Sequence, residues 1–390
     1  MEQAMDIGQI RERLQEDIAR LRAPDGFLYA GHPNFHTLFG RDSIISAWEL
    51  LHIEPAIAKA TLTILAKHQG KAVNPTREEE PGKILHEHRF DAESRRELPH
   101  WEFPYYGSVD STPLFVYLAG RYAERAQEDG FIQELWPSLL AAYNWVKGCA
   151  DAGGGYLRYE RKNPFGLFHQ GWKDGSEDHL KIRPPVAIVE AQGYAFAAYK
   201  AFAELAERFG TTTLANEASE RARLLRDHFN RDFWVRGEFF ALGLDGSDAP
   251  REVATSNPGH LLFTGILSPD RASETVARLF RADLWTPYGI RTHSTTAPDF
   301  RPYGYHTGTV WPHDNWIIAE GLGTSGFERE AGRITDALIA AYDEMGKIPE
   351  LYTVVDDRLV DLSESPMGGA RANPLQAWAT AGLLALLQSR

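Results

Sequence analysis

The stretch VAIVEAQGYAFAAYKAFAELAERF at residues 186–209, followed closely by LANEASERARLLRDHF at residues 214–229, decides the fold. In both segments apolar residues recur at the three- and four-residue spacing of one face of an α-helix. Because only a short turn separates them, the two segments predict a pair of antiparallel helices that pack on each other.

The same paired pattern extends along all 390 residues. Helical periodicity predicts about twelve helices, mostly in consecutive pairs. Besides the two above, they cover residues 10–21, 43–51, 57–66, 111–126, 131–146, 258–264, 269–280, 314–322, 328–342 and 374–387. The joints are rich in Gly, Pro and Asp, and no low-complexity linker divides the chain. The sequence therefore predicts a single domain over residues 1–390.

These pairs predict an all-α protein, and about six of them can close into a toroid, the (α/α)6 barrel. Each inner helix would be covered by the next outer helix, and the loops at one rim would surround a central cleft. Strand-like pieces such as residues 233–242 predict short β-hairpins among the long loops at this active-site rim. An open α-solenoid is the alternative, but it favours short regular loops. Long loops rich in aromatic and charged residues are typical of functional sites instead.

Composition excludes several classes of partner. The net charge of −13 leaves no basic stripe for nucleic acid and disfavours anionic membrane surfaces. The chain contains no run of about 18 apolar residues, so no membrane span is predicted. The N-terminus also lacks the pattern of a signal peptide, so we expect a cytoplasmic protein. Cys149 is the single cysteine and is predicted to be a buried thiol rather than a nucleophile. Ten Trp and fifteen Tyr suit a sugar-like ligand.

The segment at residues 171–179 concentrates chemistry in nine positions. It contains Trp172, Lys173, Asp174 and two further carboxylates, Glu177 and Asp178, and it ends on a histidine. A packed core does not need that density of ionisable groups, and a solvated loop does not need the tryptophan. Together they predict one wall of a site that binds a polar ring and moves protons, and such a site needs a second, distant carboxylate.

Five other joints are chemically dense, and the first lies at residues 39–43. Either Asp42 or Ser43 could be the N-cap of the next helix. Capping does not explain the adjacent Arg41, however. An Arg–Asp pair can hold two ring hydroxyls through directional hydrogen bonds, so Arg41 and Asp42 are candidate ligands of a sugar.

The second dense joint, at residues 83–89, contains His86 and His88. Their spacing could ligate a metal from a strand, but no cysteine or HExxH spacing supports that interpretation. The favoured interpretation is a hydrogen-bonding wall, so we predict no metal site and no cofactor.

Three further joints complete the set. Asp110 precedes a predicted helix with a proline in its first turn, which is typical of an N-cap. Trp311 is a candidate stacking platform, and Asp314 could cap the helix that follows. Glu350 comes after a proline, among apolar and aromatic neighbours, and is a plausible site-facing carboxylate.

Six motifs occur in an order that resembles a known family. They are Phe39-Gly40-Arg41-Asp42, Gly82-Lys83-Ile84-Leu85-His86-Glu87, Tyr105-Tyr106-Gly107-Ser108-Val109-Asp110-Ser111-Thr112-Pro113-Leu114-Phe115, Gly171-Trp172-Lys173-Asp174, Tyr305-His306-Thr307-Gly308-Thr309-Val310-Trp311-Pro312-His313-Asp314-Asn315 and Pro349-Glu350-Leu351. From about residue 30 to about residue 380 the chain resembles the catalytic domain of glycogen-debranching-type amylo-α-1,6-glucosidases. More distantly, it resembles the inverting (α/α)6 glycosidases that include processing α-glucosidase I and the mannosylglycerate and glucosylglycerate hydrolases.

This resemblance implies an (α/α)6 barrel that hydrolyses an α-glycoside with inversion. It implies that Asp174 is the general acid and Glu350 the general base. Arg41 and Asp42 would bind hydroxyls of the cleaved sugar, and Trp311 would pack against that sugar. The other residues predicted to bind substrate are His86, Asp110, Trp172, Lys173, Gln192, His306 and His313.

Two departures from the family pattern shape the expected substrate. Debranching enzymes usually carry an additional N-terminal domain, whereas this chain starts almost at the barrel, which favours a small α-glucoside, another small α-glycoside or an oligosaccharide. Gly175 also follows Asp174 where serine or another small polar residue is usual. We expect a monomer or a homodimer. The repulsion of Glu177 and Asp178 is expected to keep Asp174 protonated.

Alternatives remain at the level of sequence. Glu177 and Glu190 are the next candidates for the general acid. A sugar epimerase of the (α/α)6 type would use paired histidines, for which His86, His88, His306 and His313 are available. A non-catalytic glycan-binding barrel is a third interpretation.

Overall fold

Helices account for most of the regular structure in residues 6–388, the part of the chain that the computed structural model describes. The α-helices are α1 (Ile7–Leu21), α2 (Gly40–Glu49), α3 (Pro55–Lys67), α4 (Ala92–Arg96), α5 (Ser111–Ala126), α6 (Asp129–Ala152), α7 (Val189–Phe209), α8 (Thr212–Asp232), α9 (Pro269–Leu279), α10 (Pro312–Thr324), α11 (Glu328–Met345) and α12 (Ala377–Gln388). Two 3₁₀ helices lie at Pro75–Arg77 and Asn257–Thr264. The expectation about a leader concerns residues 1–5, which lie outside the described residues.

Most predicted helices agree with these bounds to within a few residues. Two differ in kind. The short helix α4 was not predicted, and the predicted helix at residues 258–264 consists of 3₁₀ turns that end at Gly265, whose φ of +77° lies in the left-handed region. Helix α2 also begins three residues before its predicted start, at Gly40.

Six elements pack against one another in cyclic order. Helix α2 contacts α5, α5 contacts α7, α7 contacts the 3₁₀ helix Asn257–Thr264, this contacts α10, α10 contacts α12, and α12 returns to α2. We call these six the inner ring. Every residue of α2 is buried, as expected of a helix that is surrounded on all sides.

The remaining long helices cover this ring from outside, one for each inner element. In ring order, α3, α6, α8, α9, α11 and α1 pack on α2, α5, α7, Asn257–Thr264, α10 and α12. Helix α8 shows why: it buries Ala215, Ala218, Ala222, Leu225 and Phe229 and leaves its other face to solvent. This spacing forms a single apolar stripe, which a helix must bury against a partner. The predicted predominance of helices, with small antiparallel strand pairs, is confirmed.

Short antiparallel strand pairs complete the fold. They are β1 (Gly31–His32) with β12 (Leu375–Gln376), β2 (Leu38–Phe39) with β3 (Glu87–His88), β4 (Ala187–Ile188) with β7 (Gly243–Leu244), β5 (Trp234–Val235) with β6 (Phe239–Phe240), β8 (Trp285–Thr286) with β9 (Gly289–Ile290) and β10 (Thr353–Val355) with β11 (Arg358–Val360). The β5–β6 hairpin confirms the prediction for residues 233–242. Strands β2, β4 and β12 run directly into α2, α7 and α12. The three pairs that contain these strands therefore lie at the N-terminal ends of α2, α7 and α12.

The structure bears on two predictions, one for the Cys149 thiol and one for membrane-spanning helices. Cys149 is half-buried rather than fully buried, and burial raises the pKa of its thiol to about 12, so the thiol stays protonated and unreactive at neutral pH. Within residues 6–388, no helix combines the length and apolarity that a membrane span requires.

Candidate active site

A cavity of about 250 Å³ lies where several inner helices begin. Its wall includes the first residues of α2 and α12 and the residue before α10. The lining residues are Phe35, Phe39, Arg41, Asp42, His86, Glu87, Arg89, Leu98, Trp101, Leu167, Trp172, Asp174, Tyr305, His306, Trp311, Glu350, Gln376 and Trp378. Ligand pockets usually enclose roughly 300–1,000 Å³, so this cavity suits a small ligand.

The two predicted catalytic carboxylates line this same cavity although they lie far apart in sequence. The side chain of Asp174 is 28% exposed, whereas Glu350 is 3% exposed. Glu350 lies in non-helical chain after α11, where its backbone N–H donates to the carbonyl of Asn373 at 3.0 Å. The fold thus supplies the pair of carboxylates that the segment at residues 171–179 requires.

Arg41 fixes the Asp174 segment from the first turn of α2. Its Nη2 donates to Asp174 Oδ2 at 2.5 Å, and its Nη1 donates to the carbonyl of Gly171 at 2.9 Å and to Asp110 Oδ2 at 3.2 Å. The guanidinium is 3% exposed. Because its planar donors are directional, Arg41 orients the Asp174 carboxylate and the loop that carries it.

Opposing effects act on the pKa of Asp174. Burial raises it most, Arg41 lowers it through its charge and hydrogen bond, and Asp110 raises it; the net result is a raised pKa. Glu177 is exposed, and Asp178 is hydrogen-bonded to His169 Nε2 at 2.9 Å. The expectation that Glu177 and Asp178 tune Asp174 is therefore wrong, and Asp110 is the acidic neighbour instead.

Neutral donors hold Glu350. The Tyr305 hydroxyl donates to Oε1 at 2.6 Å, and the Asn373 N–H donates to Oε2 at 2.9 Å. Burial raises the pKa of Glu350 to about 8, these two hydrogen bonds oppose the rise, and Asp42 and Asp174 add to it. Burial likewise raises the pKa of Asp42 to about 7. Burial therefore favours the protonated form of both carboxyls.

Several buried polar atoms of the cavity wall lack a hydrogen-bond partner among the described residues. They are Arg41 Nε, Asp42 Oδ1 and the indole nitrogens of Trp172 and Trp378. Asp42 Oδ2 accepts from Gln376 Nε2 at 3.4 Å. Buried polar groups are normally paired, so these unpartnered atoms mark candidate positions for contacts with a ligand.

Aromatic rings form one side of the cavity. Trp311 is 2% exposed, stacks on His306 at 5.2 Å between ring centroids, and meets Tyr305 and Trp172 nearly edge-on at 4.9 and 5.7 Å. His306 therefore covers one face of the predicted platform. Burial lowers the pKa of both His86 and His306 well below the ordinary value, so both rings are neutral at neutral pH.

Four residues predicted to bind substrate lie outside this lining: Asp110, Lys173, Gln192 and His313. Asp110 occupies the N-cap position of α5 but its side chain makes no capping bond, because it is committed to Arg41. Lys173 turns into the ring of helices, where its Nζ donates to the carbonyl of Thr292 at 2.7 Å. The charges of Asp314 and Glu190 act on it there.

Gln192 and His313 also face away from the lining. Gln192 exchanges hydrogen bonds with the backbone of Leu157, donating at 2.9 Å and accepting at 2.9 Å. The His313 ring stacks on Trp378 at 3.7 Å between centroids. Gln192 thus holds a loop, and His313 supports a cavity-wall tryptophan.

The N-caps of α2 and α10 are not the residues that the sequence suggested. Phe39 is the N-cap of α2, so neither Asp42 nor Ser43 caps it. Trp311 is the N-cap of α10, and Asp314 is instead hydrogen-bonded to His260 at 2.7 Å.

Neither alternative acid lines the cavity. Glu190 is fully buried against Asn257, and Glu177 is exposed. The histidine pair at residues 86–88 is also divided, because the His88 ring packs beside His68 and Phe90 instead of lining the cavity. Within residues 6–388, no group of three His, Cys, Asp or Glu side chains is arranged to hold a metal ion.

The sequence analysis missed several lining residues. Tyr305 and Glu87 lie inside quoted motifs, beside residues that were chosen, so the motifs themselves were the available signal. Trp101 and Arg89 come from a loop around α4 that had no helical periodicity. Trp378 belongs to a helix that only ring closure brings against α2 and α10.

Comparisons with known proteins agree with this architecture. Residues 38–357 match the family model described as the mannosylglycerate hydrolase MGH1-like glycoside hydrolase domain. Two curated mannosylglycerate hydrolases are similar over shorter stretches. The one from Rubrobacter radiotolerans is 29% identical over 37% of this chain, and the one from Thermus thermophilus is 31% identical over 29% of it. The matched stretches span 33% and 28% of those two relatives.

Solved structures match the whole fold. The GH63 mannosylglycerate hydrolase from Thermus thermophilus in complex with Tris and D-glycerate has a TM-score of 0.71 at 18% identity and covers 98% of this chain and 100% of its own. The same enzyme in complex with glucose gives a TM-score of 0.71 at 18% identity, with the same coverage of both chains. At this identity the likeness establishes the fold alone.

The family model covers most of the chain. The family found is the mannosylglycerate hydrolase-like one, which was the more distant resemblance, and the debranching-type resemblance is not confirmed. The chain belongs to the family of mannosylglycerate hydrolase MGH1-like glycoside hydrolase domains.

Proposed function

We propose that the protein hydrolyses a small α-glycoside with inversion at the anomeric carbon, using Asp174 as general acid and Glu350 as general base. The observation that carries this proposal is the meeting of the two carboxylates in one small cavity. Arg41 and Asp42, which line the same cavity, each have a polar atom without a hydrogen-bond partner that would bind a sugar hydroxyl.

The fold part of the proposal is an (α/α)6 barrel. Six inner elements contact each other in an order that returns to its start, and each carries one outer helix. An open solenoid has two ends and would not bring α12 against α2. The closed order therefore supports the barrel.

Access supports the assignment of the two roles. The aglycone must leave through the opening of the cavity, so the group that protonates it belongs on the more exposed side, where Asp174 lies. The base must activate a water on the opposite face of the sugar, and the deeply buried Glu350 suits that position. Its donors, Tyr305 and Asn373, stabilise the carboxylate form that a base requires.

The proposed step balances in one displacement. Glu350 takes a proton from water while the water oxygen bonds to the anomeric carbon. The bond from that carbon to the glycosidic oxygen breaks, and Asp174 gives its proton to the leaving oxygen. Arg41 then stabilises the new Asp174 carboxylate, which is already within its hydrogen-bond reach.

The substrate has two parts, the glycosyl unit and the aglycone, and the size of the cavity limits both. The cavity volume favours one sugar ring with a small aglycone over a branched polymer. A panel of α-linked disaccharides, glycosylglycerols and glycosylglycerates of glucose and mannose, read by the sugar released, tests the proposal. Release from at least one member is expected. If the protein releases no sugar from any of them, the proposal is wrong.

Sugar epimerisation is the second candidate, because His86 and His306 both line the cavity. Burial lowers the pKa of both rings, which weakens them as proton-abstracting bases. Incubation with free glucose and free mannose separates the two functions. A change of configuration without hydrolysis of any glycoside would favour the epimerase.

A further inference from the structure

A further cavity, which we call the second cavity, lies beside the segments that hold Asp110 and Asp174. Its volume is about 320 Å³, and the described residues that line it are not shared with the candidate active site. The C-terminal part of α6 forms one side, and loop residues between 78 and 109 and between 158 and 185 form the others. Ligand pockets usually enclose roughly 300–1,000 Å³, so the second cavity is large enough for a small ligand.

Lys83 contributes a buried ammonium group to the second cavity. It is 4% exposed, and its Nζ donates to the carbonyl of Glu78 at 3.2 Å and lies 5.5 Å from the centroid of the Trp145 ring. Within residues 6–388, that carbonyl is the acceptor of its hydrogen bond, and no carboxylate oxygen lies within salt-bridge distance. Because an ammonium group has three donors, Lys83 keeps donors for a ligand in the second cavity.

The charged groups in the wall of the second cavity balance one another. Its cations are Lys83, Arg158 and Lys162, and its carboxylates are Glu78, Glu80 and Glu160. Arg158 pairs with Asp248. Glu78 Oε1 accepts from the backbone N–H of Asn163 at 2.8 Å. With three charges of each sign, the wall attracts neither an anion nor a cation overall, so it favours a neutral ligand.

The same wall combines polar groups with an aromatic side chain. The indole N–H of Trp145 donates to Glu80 Oε2 at 2.9 Å, so the hydrogen-bonding edge of the ring is already paired. Val109 and Pro185 add apolar surface, and the amide of Gln170 adds both a donor and an acceptor. A sugar ring has apolar C–H faces and hydroxyl groups that donate and accept, which matches this combination.

The second cavity reaches the hydrogen bonds of Arg41 through two residues. Ser108 lines the cavity, and its Oγ donates to Asp110 Oδ1 at 2.7 Å. Gln170 also lines it and directly precedes Gly171, whose carbonyl accepts from Arg41 at 2.9 Å. A ligand that contacts Ser108 and Gln170 therefore acts on partners of Arg41, the residue that orients the carboxylate of the proposed acid.

We infer that the second cavity binds a neutral polyhydroxylated ligand of about the size of a monosaccharide, and that its occupancy changes kcat through Ser108 and Gln170. The binding does not depend on the proposed function, whereas the effect on kcat rests on it. Because the two cavities have separate described linings, this ligand and the substrate bind at the same time, which is the condition for coupling between two sites.

Cys149 reports the occupancy of the second cavity, because it lines the cavity and is the single cysteine of the chain. Burial raises the pKa of its thiol to about 12, so at about pH 9 a methanethiosulfonate reagent labels it slowly enough to follow by intact mass. Glucose or mannose at about ten times its dissociation constant should slow the labelling about tenfold, because bound sugar shields the thiol. Sodium glycerate at the same concentration should leave the labelling rate unchanged.

Two variants and a control locate the bound sugar. Lys83→Met removes the ammonium group but keeps the apolar stem, and should raise the sugar concentration for half-protection about tenfold. The charge of Lys83 also lowers the pKa of the Cys149 thiol, so the ratio of labelling rates with and without sugar is compared. Glu160→Ala should cause a smaller rise, and this side chain is 53% exposed, so folding is not at risk. Lys147→Met removes an ammonium that lies over the Tyr143 ring outside the cavity lining, and should behave as the wild type.

The labelling rates decide whether the binding site exists. If neither glucose nor mannose slows the labelling, the inference is wrong. If glycerate slows it and the sugars do not, the cavity takes an anion and not a neutral ligand. An unchanged half-protection concentration in both Lys83→Met and Glu160→Ala would overturn the placement of the sugar. A raised concentration in Asp42→Asn, which alters the candidate active site, would place the protecting sugar there instead.

The effect on kcat is measured with the glycoside that the panel identifies. In the wild type, free sugar should change the kcat extrapolated to saturating substrate, and in Lys83→Met the same change should need about tenfold more sugar. Purely competitive inhibition by free sugar would overturn the coupling while the binding site stands. If no glycoside in the panel is hydrolysed, the proposed function fails, and the labelling rates still decide the binding site.

Discussion

The two carboxylates of the cavity are held in opposite ways. Asp174 is partly exposed and bonded to a guanidinium, whereas Glu350 is buried and bonded to a phenol and a backbone N–H. By these electrostatics the proton is held more firmly by Glu350, since Arg41 opposes protonation of Asp174 and burial raises the pKa of Glu350 to about 8. Position points to the reverse assignment of acid and base. If Asp174 is the acid, as proposed, its access to the leaving group outweighs these pKa directions, and the variants below test that assignment.

The largest expected effect comes from removing the acid. Asp174→Asn keeps the shape of the side chain but cannot donate the proton, so kcat on ordinary α-glycosides should fall about 10²–10⁴-fold. An α-glycosyl fluoride needs no protonation of its leaving group, and this variant should cleave it with a much smaller loss. Steady-state kinetics on both substrate types checks the prediction. Equal losses on both would mean that Asp174 is not the acid.

A comparable loss is expected from Glu350→Gln, but without recovery on the fluoride. The base is needed whatever the leaving group, so both substrate types should lose about 10²–10⁴-fold in kcat. The circular dichroism spectrum should stay that of the wild type. Near-normal turnover by this variant would exclude Glu350 as the base.

An intermediate effect is expected from Tyr305→Phe. Losing the hydroxyl that donates to Glu350 Oε1 removes stabilisation of the carboxylate, so the pKa of Glu350 should rise by about one unit. The acidic limb of the pH–rate profile should then move to higher pH, and activity at pH 7 should fall about tenfold. Tyr288→Phe is a control at an exposed Tyr–Glu contact outside the cavity lining, and its profile should match the wild type. If the acidic limb of the Tyr305→Phe profile stays at the wild-type pH, the ionisation that it reports is not that of Glu350.

The smallest effect concerns stability. The pKa of Glu350 is raised in the folded state, so its contribution is fully present below the unfolded value of about 4.5 and is lost as pH rises toward about 8. The melting temperature should therefore fall over this window, and fall less in Glu350→Gln. Calorimetry at several pH values measures both slopes. Identical slopes in the two proteins would show that Glu350 has no raised pKa.

The sequence predicted most of the architecture because helix pairing is a local pattern. The apolar stripe of α8 follows from residue spacing, whereas the burial of the polar residues of α2 follows only from its neighbours in the ring. The segment at residues 257–264 was harder, because Pro258 and Gly259 lie within its first turn and Gly265 ends it, which favours short 3₁₀ turns over a regular helix. The short helix α4 has too few residues for periodicity to be visible.

The candidate site was predictable where the ionisable and aromatic side chains of a single motif line the cavity. Arg41, Asp42 and Trp172 meet Asp174 in the cavity, as the density of their segments suggested. The direction of Lys173 was not predictable, because its acceptor, the Thr292 carbonyl, comes from a distant loop. Gln376 and Trp378 reach the cavity only because the inner ring closes.

The most direct test of the proposed inverting mechanism is the configuration of the sugar at the moment of release. Proton NMR during the first minutes of hydrolysis, before mutarotation, distinguishes the two anomers. If Asp174 and Glu350 act as acid and base in a single displacement, the β-anomer appears first from an α-glycoside. First release of the α-anomer would mean that a covalent intermediate forms and would contradict the account.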